Sequence, residues 1–429
     1  MTDSDVAPER VHPSSGPGGA AARARLGGAY WRLWISSALS NLADGVFKIA
    51  LPLIAIGFTR SPVLVAGVTF ALTVPWLLFA LPAGALADRL DRRKVMLAAN
   101  TVRAVLLAAL AATVALDLAS IWALYAVAFC VGVAETLYDT TAQSILPRLV
   151  SRDQLSRANG RLYAAELTAN QFVGPPLGGL LVAAGAVAAF SAPVALWAVA
   201  VGALLMVRGT YRVGRERPTT VRADIAEGLR FLWRHRLLRT MAVMVGGFNF
   251  ATNAAWAVLV LFAVGPASPV GLSEQGFGLL LVTVAAGSLL GSFLAERVER
   301  LLGRARALAL SVCTGALMLG APAATADPFL LGAAFFTGGV GIVVWNVITV
   351  SLRQRVTPDR LLGRVNSGYR LLAWGTMPLG AAAGGLLAQL AGLRAVFAAS
   401  ALLTLALLAV MPLVTDRAMA AAEREAGPS

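Results

Sequence analysis

Charge is scarce in this chain of 429 residues: Asp, Glu, Lys and Arg make up 14%, against 58% apolar residues. A soluble domain carries about 25% charged and about 45–50% apolar residues. So few charges cannot cover so much apolar surface in water, and the bulk of the chain is expected in lipid. Lysine occurs only as Lys48 and Lys94, and neither follows a glycine. A phosphate-binding Gly-Lys-Ser/Thr loop is therefore excluded. The two histidines, His12 and His235, fall outside the apolar runs, which leaves no histidine metal site or proton relay within them. No His-Glu-x-x-His and no Gly-x-Ser-x-Gly occurs, so a membrane enzyme, the remotest alternative, has no motif behind it. No catalytic residue, cofactor or metal is expected. The two cysteines, Cys130 and Cys313, lie inside apolar runs and are expected to be buried free thiols. Acidic residues are outnumbered, 22 against 36 Lys and Arg, for a net charge of +14. In a soluble protein that excess would suggest nucleic acid. Here its meaning depends on where the cations fall.

From Trp31 onward, apolar runs of spanning length alternate with short polar breaks. A membrane-crossing helix needs about 20 such residues. The runs predict helices over 31–58, 62–86, 95–116, 120–145, 160–184, 188–207, 240–264, 276–295, 307–325, 328–350, 368–390 and 394–414. The runs do not alternate apolar and polar residues, which excludes a β-barrel. Residues 1–29, rich in Pro, Gly, Ala and Ser, are expected to form a disordered tail and not a signal peptide. Residues 416–429 are expected to be a polar tail.

Thirty-two of the 36 cations fall in the termini and in every second loop, while Arg60 and Arg394 alone mark the opposite loops. The positive-inside rule then places both termini in the cytoplasm and requires an even number of spans. The expected setting is a plasma (inner) membrane crossed many times. Residues 209–239 carry a cluster of arginines and divide the chain. Within them Ile225, Leu229, Leu232 and Trp233 stand among arginines, an amphipathic helix on the membrane face or a solvated helix between two halves.

The halves repeat. Leu86-Ala-Asp88-Arg89-Leu-Asp91-Arg92 matches Leu294-Ala-Glu296-Arg297-Val-Glu299-Arg300 at an offset of 208. Phe129, Gly132, Asp153 and Gly178-Gly179-Leu180-Leu181 recur as Phe335, Gly338, Asp359 and Gly384-Gly385-Leu386-Leu387 at an offset of 206. Six helices separate the copies, so both start on the same side: a parallel repeat of two six-helix bundles. The expected fold is an all-α membrane protein with twelve transmembrane helices in two bundles spanning 30–208 and 240–415.

These motifs resemble the major facilitator superfamily, across about residues 30–415. Gly84-Ala-Leu-Ala-Asp88-Arg89-Leu-Asp91-Arg92-Arg93 is similar to that family's 2–3 loop signature, with Asp91 where a glycine is usual. Gly174-Pro175-Pro176-Leu-Gly178-Gly179 resembles its antiporter signature. Leu146 to Asn159 resembles the transmembrane secretion effector group of enterobactin-exporter-like and macrolide-efflux-like proteins, a group of drug:proton antiporters. The resemblance implies export of a small molecule driven by an ion gradient, most often of protons. It also implies that the two bundles surround a central cavity. Since topology accounts for the cations, no nucleic acid partner is expected, and the protein is expected as a monomer in the bilayer. A facilitator or importer of a nutrient in the same fold is the alternative.

The physics of the motifs stands beside the resemblance. Asp88, Arg89, Arg92 and Arg93, mirrored by Glu296, Arg297 and Arg300, are placed at helix ends as a charge lock that opens in one of two states, or simply as topological anchors. Gly174, Gly178 and Gly179 share a face for close helix contact, and Pro175 can bend the helix.

A charge inside a span is costly and marks a functional candidate. Ser37, Asn41, Asp44 and Lys48 form one polar stripe on the first helix, where Asp44 and Lys48 can pair across a turn. Glu135, Thr136, Asp139, Thr140 and Gln143 form a similar stripe on the fourth. Asn249, Asn253 and Trp256 on the seventh, with Trp345 and Asn346 on the tenth, are candidate substrate contacts, as is Asn41. The proton is expected on Glu135, Asp139, Asp44 or Glu166, with Lys48 and Arg103 as their charge partners.

Overall fold

The computed structural model describes residues 26–146, 149–151, 154–209 and 221–425. Most of the expected tail 1–29 lies outside that range. Among the described residues every long element is helical. In the N-terminal half these are α1 (Gly28–Phe58), α2 (Pro62–Arg89), α3 (Arg92–Ala115), α4 (Ile121–Ile145), α5 (155–183) and α6 (Ala186–Leu205). Helix α7 (Val221–Arg234) links the halves. The C-terminal half holds α8 (Arg236–Ala263), α9 (Glu274–Leu302), α10 (Arg304–Ala324), α11 (Pro328–Val356), α12 (Asp359–Ala391) and α13 (Leu393–Leu413), and the short α14 (Asp416–Glu425) follows. Eleven of these are helices long and apolar enough to cross a membrane, and the last of them, α13, tightens to a 3-10 helix over Leu407–Leu413. Helix α5 makes the twelfth span and is interrupted. Its Thr168–Val173 turn is wound as a π-helix between the α-helical Leu155–Leu167 and Gly174–Ala183. Pro175 and Pro176 follow that turn and supply no backbone N–H to the carbonyls one turn back.

Large apolar side chains face outward on many spans, Phe293, Leu301, Phe329 and Leu390 among them. Lipid is the solvent that accepts such a surface. It also explains Cys130 and Cys313: both are free thiols, as expected, but both are exposed and not buried, since an apolar run here can face the bilayer.

Three caps show how the arginine-rich ends are finished. Asp91, at the usual glycine position, accepts a hydrogen bond from the Lys94 N–H at 3.2 Å and caps α3. Arg93 donates to the carbonyls of Leu204 and Leu205, closing the end of α6. Gly303 turns the chain with φ of 77° between α9 and α10, where Asp416 Oδ1 accepts from the Ala305 N–H at 3.1 Å.

The expected polar tail is ordered over its first ten residues. Helix α14 buries Met419 and Ala422, and Glu423 Oε1 lies 2.7 Å from Arg304 and 3.4 Å from Arg355. The linker helix packs on the C-terminal half. Leu232 is fully buried, Gly228 lies against the backbone of Arg364, Leu229 packs on Gly368, and Glu227 pairs with Arg364. Helix α7 is thus seated on the arginine-rich end of α12. His235 caps α8, which starts four residues before its predicted beginning.

The two halves meet toward the arginine-poor end. Gly179 abuts the backbone of Glu274, and Gly278 that of Pro175, so α5 and α9 touch at backbone distance. Arg60 donates to the Val264 carbonyl at 3.4 Å, Ser61 to Gln389 at 3.5 Å, and Gly385 sits against Pro62 and Ala66. Midway along, Trp76 and Trp374 meet edge to face with centroids 4.7 Å apart. The structure is closed at the arginine-poor end.

Candidate functional site

The N-terminal half holds a buried charge cluster built by α1, α3 and α4. Arg103, fully buried, donates from Nη1 to Asp44 Oδ1 and Oδ2 at 2.9 and 3.1 Å. The same nitrogen lies 3.4 Å from Ser40 Oγ, and Nη2 lies 3.4 Å from the Ala134 carbonyl. The guanidinium carbon stands 4.9 Å from the Tyr138 ring centroid and 5.7 Å from that of Trp197. A cation in low dielectric is tolerated only with this density of partners.

The second pair runs from Lys48 Nζ to Glu135 Oε1 at 2.8 Å. The Lys48 side chain is 40% exposed and that of Glu135 only 9%. The expected pairing of Asp44 with Lys48 on one helix is therefore corrected: Asp44 points to Arg103 of α3, and Lys48 to Glu135 of α4. Helix packing supplied closer partners than the neighbouring turn did. Asp139 lies one turn beyond Glu135, half-buried, within electrostatic range of Lys48 and Arg103. No ion pair or hydrogen bond engages its carboxylate among the described residues.

Glu166 on α5 is exposed to the space between the halves, within electrostatic range of Lys48 and Glu135 and of Arg370 on α12. The sequence pattern counts Arg370 among the loop arginines. The structure places it eleven residues inside α12, with its guanidinium carbon 4.7 Å from the Trp374 ring centroid. Its signal was Trp374 four residues on, the spacing of a stacked pair on one helix face. In the π-helical turn of α5, Asn170 Nδ2 donates to Asn41 Oδ1 at 2.8 Å, tying α5 to α1.

The glycine motif serves contact on two sides. Gly174 faces Gly45, and Gly178 faces Val46 and Ile49, both on α1, while Gly179 reaches across to α9. Pro175 is buried against Gly278 of α9.

The expected substrate contacts separate. Asn249, Trp345 and Asn346 line one pocket of about 100 Å³ inside the C-terminal half. Asn249 donates its amide to the Ala373 carbonyl at 2.7 Å, and Asn253 to the Asn249 carbonyl at 2.9 Å. Trp256 leaves that group: it stacks on Phe335 at 5.5 Å in the apolar core between α8 and α11.

The structure describes only part of the expected lock. The side chains of Gly84, Asp88 and Arg89 lie outside the described residues. Arg93 is spent on α6, and Arg92 is half-buried at the start of α3. In the mirrored copy, Glu296 and Arg300 approach to 3.9 Å on one exposed helix face, and Arg297 is exposed. Among the described residues, these three join no two helices in this state. The ion pairs between elements there involve Glu299, Arg304, Arg355 and Glu423 instead.

Residues 24–427 match the transmembrane secretion effector family. The chain belongs to that family. Its relatives are major facilitator transporters and not enzymes. It is 28% identical to the multidrug efflux pump Tap of Mycolicibacterium fortuitum, over 85% of this chain and 90% of the relative. It is 26% identical to the enterobactin exporter EntS of Citrobacter koseri, over 79% and 80%. Among solved structures, a bacterial homologue of the iron transporter ferroportin in its inward-facing state superposes with a TM-score of 0.68 at 17% identity, covering 89% of this chain and 98% of that one. The nucleoside transporter NupG gives 0.69 at 14%, over 89% and 99%. These structures establish the shared fold. The protein is thus a multi-pass membrane transporter of the major facilitator type, acting on small molecules.

Proposed function

We propose that this transporter exports amphipathic small molecules from the cytoplasm in exchange for protons, by alternating access. One observation carries the reading. The cluster in the N-terminal half holds three carboxylates, Asp44, Glu135 and Asp139, against two cations, Lys48 and Arg103. One bound proton makes it neutral. Within a membrane neutrality is strongly favoured, so a proton is the ligand this cluster is built to take up. Glu135 holds Lys48, and Asp139 lies one turn on, within electrostatic range of the same ammonium. A proton on Glu135 frees the ammonium to turn to Asp139.

The arginine-rich face is read as cytoplasmic by the positive-inside rule. A structure closed at the opposite end is then ready to receive cargo from the cytoplasm. Relatives that are exporters favour this direction over nutrient import. Amphipathic cargo fits an interior where Trp76 and Trp374 meet beside Arg370, itself within electrostatic range of Asp139 and Glu166.

A dye and drug panel in a host stripped of its own efflux systems tests this. Expression is expected to lower accumulation of at least one amphipathic dye severalfold, and an uncoupler is expected to abolish the difference. Accumulation raised by expression would support import instead.

A further inference from the structure

The C-terminal half contains a pocket of about 100 Å³ between α8, α10, α11 and α13, with Phe248, Asn249, Ser311, Trp345, Asn346 and Leu407 in its wall. Its place in the repeat is informative. Helices α8, α10, α11 and α13 are the counterparts of α1, α3, α4 and α6. Between those four helices the N-terminal half holds Arg103, wedged against Asp44, Tyr138 and Trp197. The offset of 206 that aligns Phe129 and Gly132 with Phe335 and Gly338 also aligns Glu135 with Gly341 and Asp139 with Trp345. Both C-terminal counterparts line the pocket. Where one half fills this position with a large cation and its counter-charges, the other has Ser311 and Gly341 and leaves space.

The wall chemistry defines what fits. Phe248, Leu407 and Met244 are apolar. Asn249 spends its amide N–H on Ala373, and its Oδ1 has no partner among the described residues. The same holds for the Trp345 indole N–H. Asn346 is exposed at the rim. A cavity of roughly 150 Å³ lined by apolar side chains takes up benzene, so a pocket of about 100 Å³ that opens at its rim has room for no more than one ring. A few polar groups converging on a mostly apolar pocket fix the orientation of what enters.

We propose that this pocket binds a single aromatic ring carrying a hydrogen-bonding substituent, and that it receives the ring end of the exported molecule. The two halves thereby divide the work at one repeated position: protons in the N-terminal half, an aryl group in the C-terminal half. The cargo part of this inference rests on the export reading, while ring binding itself does not.

The test uses phenol as probe and the full-length protein in detergent, with saturation-transfer NMR and no gradient present. Failure here is thus separable from failure of proton-driven transport. Saturable phenol binding at millimolar concentration is expected. Ser311→Leu and Leu407→Trp fill the pocket and are each expected to weaken binding at least tenfold, without lowering the thermal midpoint. Trp345→Phe keeps an aromatic ring but removes the indole N–H and part of the wall, and is expected to weaken binding severalfold, which keeps the test valid should a filled variant not fold. No saturable binding by the wild type would overturn the proposal. So would affinity unchanged in Trp345→Phe together with either folded, filled variant.

Discussion

Arg103→Leu is expected to lower the yield of folded protein sharply and to destabilise what remains by roughly 3–5 kcal/mol, because it strands Asp44 in the interior of the N-terminal half. A domain's whole margin is about 5–15 kcal/mol. Asp44 is 4% exposed and takes two hydrogen bonds from the guanidinium. Its remaining neighbours include Glu135, a like charge. The penalty belongs to the orphaned partner and not to the pair as such. Replacing both members by apolar residues of similar size removes two desolvation costs at once. Asp44→Leu with Arg103→Leu is therefore expected to recover most of the thermal midpoint while remaining inactive in transport. Midpoints of the purified single and double variants check this. A single variant as stable as the wild type, or a double variant less stable than the single, would contradict the assigned geometry.

Gly179→Leu is expected to shift the protein away from the state described above. The end of α5 meets the start of α9 at backbone distance, and any Cβ on Gly179 strikes the Glu274 carbonyl. The α5 to α9 contact is one of the closures between the halves, and the clash exists only while it is shut. A change of tenfold in the population ratio requires about 1.4 kcal/mol, less than an unrelieved backbone overlap costs. The readout is a cross-link between Ser61→Cys and Gln389→Cys, whose native side chains meet across the halves at 3.5 Å. Cys130→Ser and Cys313→Ser clear the background. The rate of disulfide formation is expected to fall at least tenfold with Gly179→Leu. An unchanged rate would show that the glycine is ordinary packing.

Much of this was legible in the sequence, for identifiable reasons. Spans are set by the thickness of the bilayer, so runs of apolar residues located every helix, but the polar ends that extend beyond the bilayer were cut short: α12 starts nine residues before its predicted beginning, and α9 and α11 run seven and six residues past their predicted ends. The alternation of arginines gave an even count, and the repeat gave the two halves. Polar stripes at 3 and 4 residue spacing picked out Asp44 and Lys48 on the first helix, and Glu135 and Asp139 on the fourth, before any contact between them was known. Partners were not legible. Pairing depends on how α1, α3 and α4 are set against one another, and sequence spacing favoured Lys48 for Asp44 where packing chose Arg103. Arg370 escaped because its neighbours in sequence are loop arginines, and only the length of α12 shows how deep it lies. The role of Asp91 is local and readable afterwards: a short acid one residue before a helix is a cap. Helix α14 was missed because ten polar-rich residues carry no spanning signal, and its order comes from Met419 and Glu423 finding α10 and α11. The C-terminal pocket is defined by residues from four helices and has no signature in any one of them.

The central claim is that one proton on the Glu135 and Asp139 pair drives export. Everted membrane vesicles test it most directly, with a dye identified from the efflux panel and an acid lumen imposed by a pH jump. Wild-type vesicles are expected to take up the dye as protons leave the lumen down their gradient, and to stop when the gradient is dissipated. Glu135→Gln with Asp139→Asn is expected to reduce that uptake at least tenfold while dye exchange without a gradient persists. Gradient-driven uptake unchanged in the double variant would contradict the account.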